Sequence, residues 1–202
     1  MSRNVGIYLF SEIEALDFAG PFEVFTTASR VSKRLHSSVE APFNVFSIAE
    51  SNAVVQARAG LRIIPDYSLD DHPKIDVLVV PGGVVSAELS KPNVMQWLHQ
   101  RAQTAELVAS VCTGVFMLAK AGVITAGRVT THWEDQADLA GMFPLLEVID
   151  GPRWVEQNKS FTSAGISAGI DLSLHLVGRL SSPQLATSTA RQMDYPWSAS
   201  NG

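Results

Sequence analysis

Short, nearly unbroken apolar runs recur along the chain, each ending at a turn-forming or small residue and each followed by a helix-like segment. Val5-Gly6-Ile7-Tyr8-Leu9-Phe10 is the first, and Asp76-Val77-Leu78-Val79-Val80, closed by Pro81-Gly82-Gly83, is the most strand-like. A strand with one wet face alternates apolar and polar residues; an unbroken run belongs to a parallel strand covered on both faces. Between such runs, residues 92–104 place Val94, Trp97, Leu98 and Ala102 on one side of a helix. Strand and helix signals alternating in this way predict an α/β chain with a doubly wound, mostly parallel sheet and helices on both faces. Residues 1–195 are expected to form a single domain, and 196–202 a frayed polar tail.

The third apolar run, Leu107-Val108-Ala109-Ser110-Val111, ends at Cys112, and Thr113-Gly114-Val115-Phe116-Met117-Leu118-Ala119 continues as a helix. A strand, a tight turn and a helix with a thiol at the corner is the pattern of a nucleophile elbow. Cys112 is therefore expected in a strained conformation with positive φ. The helix N-terminus is expected to lower its pKa. The competing assignment is a buried apolar filler, the common fate of an unpaired cysteine.

Other residues follow strands in the same manner. Asp17 comes after the first run and just before Pro21, which suits the first turn of a helix; it is either a cap, a solvated loop acid or a functional carboxyl. Gly82 and Gly83 let the backbone turn sharply, and the Gly83 N–H is a candidate oxyanion donor. No Lys-Ser or Lys-Thr follows at phosphate-loop spacing. The stretch 127–133 is expected as a strand leading into a helix over 134–140, with His132 at its end as either an imidazole base or a structural histidine. Residues 43–48 predict a second strand, 54–58 and 61–65 a short ribbon, and 148–155 with Phe161 further β segments. Helices are expected over 170–180 and 183–193. Asp70-Asp71-His72 reads as a polar turn, since nothing pairs it with a second metal ligand; no metal or cofactor is expected. In a doubly wound sheet ligands bind at the carboxyl ends of the strands, which gathers Asp17, Gly83 and Cys112 on one edge.

Composition narrows the function. A formal charge of −5 argues against nucleic acid as a partner. No apolar run approaches membrane-spanning length, and the N-terminal run is too short for a signal-peptide core. A single cysteine cannot form an internal disulfide, which fits a reducing cytoplasm.

The stretches Leu16-Asp17-Phe18-Ala19-Gly20-Pro21, Val80-Pro81-Gly82-Gly83, Ser110-Val111-Cys112-Thr113-Gly114, Thr130-Thr131-His132-Trp133 and Ala164-Gly165-Ile166-Ser167-Ala168-Gly169-Ile170-Asp171 resemble the ThiJ/PfpI family of the class I glutamine amidotransferase-like superfamily. Within it, an Asp at position 17 and a Thr directly after the cysteine resemble the isonitrile hydratases. Protease- and glyoxalase-type relatives carry Glu as the first acid and often His after the cysteine. The Thr-Thr-His-Trp stretch also occurs in sensor domains of AraC-type regulators, which continue into a DNA-binding domain; no basic helix-turn-helix segment is expected within these residues, which lowers the weight of that reading. The resemblance implies a flavodoxin-like fold, a homodimer and a small-molecule substrate. It further implies hydration of an isonitrile to an N-substituted formamide. Cys112 would attack the terminal carbon to give a thioimidate, with Asp17 as general acid and then base. The Thr113 and Gly83 N–H groups would stabilise charge and the Thr113 hydroxyl position water. Phe18, Trp133 and Ile166 are candidates for an apolar pocket, or equally for core. Two alternatives stand beside this reading: another cysteine-dependent enzyme of the family acting on a carbonyl substrate, and a non-catalytic ligand-binding or stress-sensing protein.

Overall fold

The computed structural model describes residues 2–36 and 40–198. In chain order the elements are β1 (Arg3–Leu9), α1 (Ala15–Leu35), β2 (Phe43–Ala49), β3 (Val55–Gln56), β4 (Arg62–Ile63), β5 (Tyr67–Ser68), β6 (Val77–Val80), α2 (Pro92–Thr104), β7 (Leu107–Val111), α3 (Gly114–Lys120), β8 (Gly127–Val129), α4 (Gln136–Met142), β9 (Leu146–Val148), β10 (Trp154–Gln157), β11 (Ser160–Ser163), α5 (Ala168–Leu180) and α6 (Pro183–Gln192). The central sheet runs β10-β11-β7-β6-β1-β2-β5, parallel throughout except for the β10–β11 hairpin. Of the three apolar runs read from the sequence, those that form β6 and β7 are buried at every position, and β1 is buried from Val5 to Leu9.

Strand order changes direction at β1: β2 lies on one side of it and β6 on the other. Parallel crossovers are right-handed, so crossovers that step in opposite directions put their helices on opposite faces. Accordingly α1 packs with α5 and α6, and α2 packs with α3. Tyr8, Phe25 and Phe161 are among the largest fully buried side chains of the core between them. The switch between β1 and β6 opens a crevice at the strands' carboxyl ends, the place where such sheets bind ligands.

Three expectations are corrected. Helix α1 begins at Ala15, so Pro21 lies inside it and Asp17 sits in its first turn. The early start is fixed by backbone pairing, since the Glu14 N–H donates to the Gly82 carbonyl at 2.9 Å. The strand expected over 127–133 stops at Val129 and pairs with β9 in a separate two-stranded sheet. It stops because the next N–H, that of Thr130, donates to a side chain, Thr162 Oγ1, at 2.9 Å instead of continuing a ladder. His132 consequently heads a 3-10 turn, Trp133–Asp135, and α4 follows from Gln136 rather than 134. At the C-terminus Trp197 packs against the core; residues 199–202 of the expected tail lie outside the described residues.

Candidate active site

The strand–helix corner is built as the β7–α3 sequence implies. Cys112 has φ 54°, the left-handed conformation that only a strongly restrained non-glycine residue keeps. Its amide donates to the carbonyls of Ser163 (3.2 Å), the last residue of β11, and Ala164 (3.3 Å), and Thr131 Oγ1 donates to its carbonyl at 2.9 Å. Thr131, fully buried, was not singled out from sequence, although it lies within the Thr-Thr-His-Trp stretch.

Asp17 is completely buried beneath the corner. Gly82 N–H donates to its Oδ2 at 3.1 Å, while Oδ1 has no hydrogen-bond partner among the described residues. The Cys112 thiol and the Ile166 N–H also face this carboxyl and favour its charged form, but burial outweighs them, with Glu14 adding repulsion, and its pKa rises to about 7. Position 82 must be glycine for this to fit: a Cβ there would stand 2.6 Å from the Thr113 nitrogen and 2.9 Å from Asp17 Oδ2. Ile166 has φ 52° and is half exposed at the rim, its backbone rather than its side chain turned toward Asp17.

The electrostatics of the thiol reverse one expectation. Burial and the neighbouring Asp17 push the Cys112 pKa up to about 12, against the stabilising Thr113 N–H and hydroxyl. A seven-residue α3 does not overcome the loss of water. The titratable group beside the thiol is Asp17, with a pKa about 7.

The oxyanion donors differ from expectation as well. Gly83 N–H donates to Thr113 Oγ1 at 2.9 Å, and the Thr113 hydroxyl donates back to the Gly83 carbonyl at 2.8 Å. This reciprocal clasp occupies the Gly83 N–H expected to be free, and it fixes the Thr113 side chain. The Thr113 N–H instead faces the sulfur.

A cleft of about 700 Å³ opens over Cys112, Thr113, Gly83, His132 and Ile166. Gly165 leaves room for the His132 ring, which a Cβ at that position would strike. His132 Nδ1 accepts from the Glu134 N–H at 3.4 Å and lies 3.5 Å from Asp135, the arrangement of a cap that closes the turn. Trp133 is exposed and does not line the cleft, and Phe18 packs against the core. Among the described residues no three His, Cys, Asp or Glu side chains gather to hold a metal. No described helix is long and apolar enough to cross a membrane.

A parallel, doubly wound sheet with a buried carboxyl, a strained cysteine and a glycine turn on one edge defines a cysteine-elbow α/β protein. The DJ-1/PfpI family model matches residues 3–179, and the chain belongs to that family. It is 30% identical to the isonitrile hydratase of Pseudomonas putida over 198 residues, covering 96% of this chain and 79% of that protein. It is also 27% identical to the HTH-type transcriptional regulator GbdR of Pseudomonas aeruginosa, spanning 96% of this chain and about half (51%) of the regulator. Among solved structures, a ThiJ/PfpI family protein from Pseudomonas syringae superposes with a TM-score of 0.84 at 25% identity, covering 97% of this chain and 76% of that one.

Proposed function

We propose that the protein hydrates an isonitrile, R–N≡C, to the formamide R–NH–CHO, with Cys112 as nucleophile and Asp17 as the proton carrier. The observation that carries this reading is the pairing of a thiol with a sealed carboxyl whose pKa, about 7, lets it both take and give a proton near neutrality. Asp17 accepts the Sγ proton as sulfur approaches the terminal carbon. The C–S bond forms, Asp17 returns that proton to the same carbon, and the triple bond becomes the C=N of a thioimidate, R–N=CH–S–Cys112. Water then adds to the carbon while its protons pass to the nitrogen and, through Asp17, to the departing sulfur. The C–S bond breaks and releases the formamide and the free thiol. Thr113 supports the reaction through the N–H it turns to the sulfur. One water is consumed, with no change in the enzyme.

The buried proton relay suits a small electrophile better than a peptide. The reading includes the homodimer, reducing-compartment location and single-domain organisation expected from the sequence. A second reading, a ligand-binding sensor, draws on the similarity to GbdR over nearly the whole chain. Formamide production from a simple alkyl isonitrile, compared with Cys112→Ala, separates the two. Turnover lost in the variant supports the hydratase, and substantial formamide from Cys112→Ala sinks it.

A further inference from the structure

One buried carboxylate lies outside the chemistry described so far. Asp171, in the first turn of α5, is only 9% exposed. Arg153 Nε donates to its Oδ2 at 2.6 Å, Arg153 Nη2 pairs with the same oxygen, and the hydroxyl of Tyr195, beyond α6, donates to it at 3.0 Å. Arg153 Nη2 also donates to Ser167 Oγ at 3.1 Å. Ser167 stands at the N-cap of α5, where a serine hydroxyl ordinarily accepts from the helix's own free N–H groups. It makes no such bond here, and its oxygen serves Arg153 instead.

The residues between β11 and α5, 164–167, touch the active site at three points. The Ala164 carbonyl accepts from the Cys112 amide at 3.3 Å, Gly165 lies against the His132 ring, and Ile166 lines the cleft with its N–H toward Asp17. The loop is strained where it meets the cleft: Ile166 has φ 52°, a conformation that a β-branched residue rarely keeps. Such a conformation persists only where the surroundings over-determine it. Arg153 supplies that restraint from both ends of the loop. Its carbonyl accepts from the Ala164 N–H at 2.9 Å, and its guanidinium holds Ser167. Asp171 fixes the guanidinium in turn, which a rigid, forked cation suits better than a flexible ammonium.

We infer that Arg153, braced by Asp171, is a positioning residue that clamps residues 164–167 and so keeps the Ala164 carbonyl and the Ile166 N–H in place against Cys112 and Asp17. Neither Arg153 nor Asp171 lines the cleft, so both act through the loop. The turnover readout rests on the hydratase reading; the thiol readout does not.

The test uses Arg153→Gln, Arg153→Lys and Ser167→Ala in the full chain. Ser167 is exposed and caps no helix N–H, so its variant should keep the wild-type urea midpoint. The titratable groups that act on Asp17 are Glu14 and Cys112, and every variant leaves both in place. With the loop released, the Ile166 N–H no longer favours the Asp17 carboxylate, and the rise of kcat/KM with pH should move upward by roughly 0.5 unit or more. In Arg153→Gln, kcat should fall about tenfold or more with KM nearly unchanged. Arg153→Lys should restore part of both effects, and Ser167→Ala should show the same shifts in smaller measure. A merely structural staple would lower the urea midpoint and leave the pH profile unmoved; that result in Arg153→Gln and Ser167→Ala overturns the inference. Should Arg153→Gln fail to fold, Ser167→Ala decides alone. In parallel, the rate of Cys112 alkylation by iodoacetamide is followed from pH 5 to 9. An inflection displaced upward in the variants supports the clamp even if the wild type makes no formamide, an outcome that removes only the hydratase reading. An unmoved inflection overturns the clamp.

Discussion

Asp17 and Gly82 are joined by an N–H···O bond of 3.1 Å that satisfies one carboxyl oxygen and leaves the other without a hydrogen-bond partner among the described residues. The bond holds the carboxyl by one edge without ion-pairing it, which is why burial can lift its pKa to about 7. A paired Asp would stay ionised and serve as an anchor rather than a proton carrier.

Replacing Asp17 should separate the two properties of the thiol. Asp17→Asn keeps an acceptor for Gly82 N–H but removes the negative charge that raises the Cys112 pKa. Iodoacetamide should therefore alkylate Cys112 faster in the variant at pH 8–9, while formamide turnover falls by about 100-fold or more. Slower alkylation together with retained turnover would contradict the assigned role.

The pH dependence follows from the same pair. Turnover requires one proton shared between Asp17 and Cys112, so kcat/KM should rise through pH about 7 and then level off, the second proton being lost only near the thiol's pKa of about 12. A profile that falls through neutrality would exclude Asp17 as the acceptor.

Stability should carry an opposite signature. The folded pKa of Asp17, about 7, lies above its unfolded value near 3.8, so between these limits the native state holds more protons. Its contribution is fully present below pH 4 and is lost as pH rises through 7, a difference of a few kcal/mol. Urea titrations of wild type and Asp17→Asn should diverge in this window, with the variant gaining relative stability toward pH 8.

The elbow's restraints are expected to be separable from the chemistry. Thr131→Val removes the hydrogen bond to the Cys112 carbonyl and leaves that buried acceptor unsatisfied, at a cost of about 1–3 kcal/mol. Thermal denaturation should register the loss, and kcat should fall more than KM rises because the sulfur is no longer held under strain. Thr131→Ser should restore most of both.

A bulkier residue beside Asp17 tests the packing. Gly82→Ala places a methyl 2.6 Å from the Thr113 nitrogen and hydroxyl and 2.9 Å from Asp17. A destabilisation of about 1–3 kcal/mol is expected, with turnover reduced in proportion to the displaced carboxyl.

Much of this arrangement was legible from residue patterns because parallel strands announce themselves. The unbroken runs of β6 and β7 located the sheet, and the break at Cys112 located the elbow and its positive φ. What escaped was whatever depends on tertiary pairing. The start of α1 is set by Glu14 reaching Gly82, 68 residues away, which no local propensity encodes. The end of β8 is set by the Thr162 hydroxyl, and the engagement of Gly83 N–H by a side chain on another strand's turn. The direction of the thiol's pKa was misread for a related reason: an elbow motif implies the helix end, whereas burial and a neighbouring carboxylate are properties of the assembled edge.

The reversal of strand order at β1 gives the sulfur a further property. Its unusual environment is supplied by β1, β6, β7 and β11 together, so it exists only once strands distant in sequence have docked. In the unfolded chain Cys112 reverts to an ordinary exposed thiol with a pKa near 8.5. Being the sole cysteine, it makes the protein its own clock for folding: a brief alkylation pulse marks chains whose sheet is unfinished and spares those whose central strands have closed.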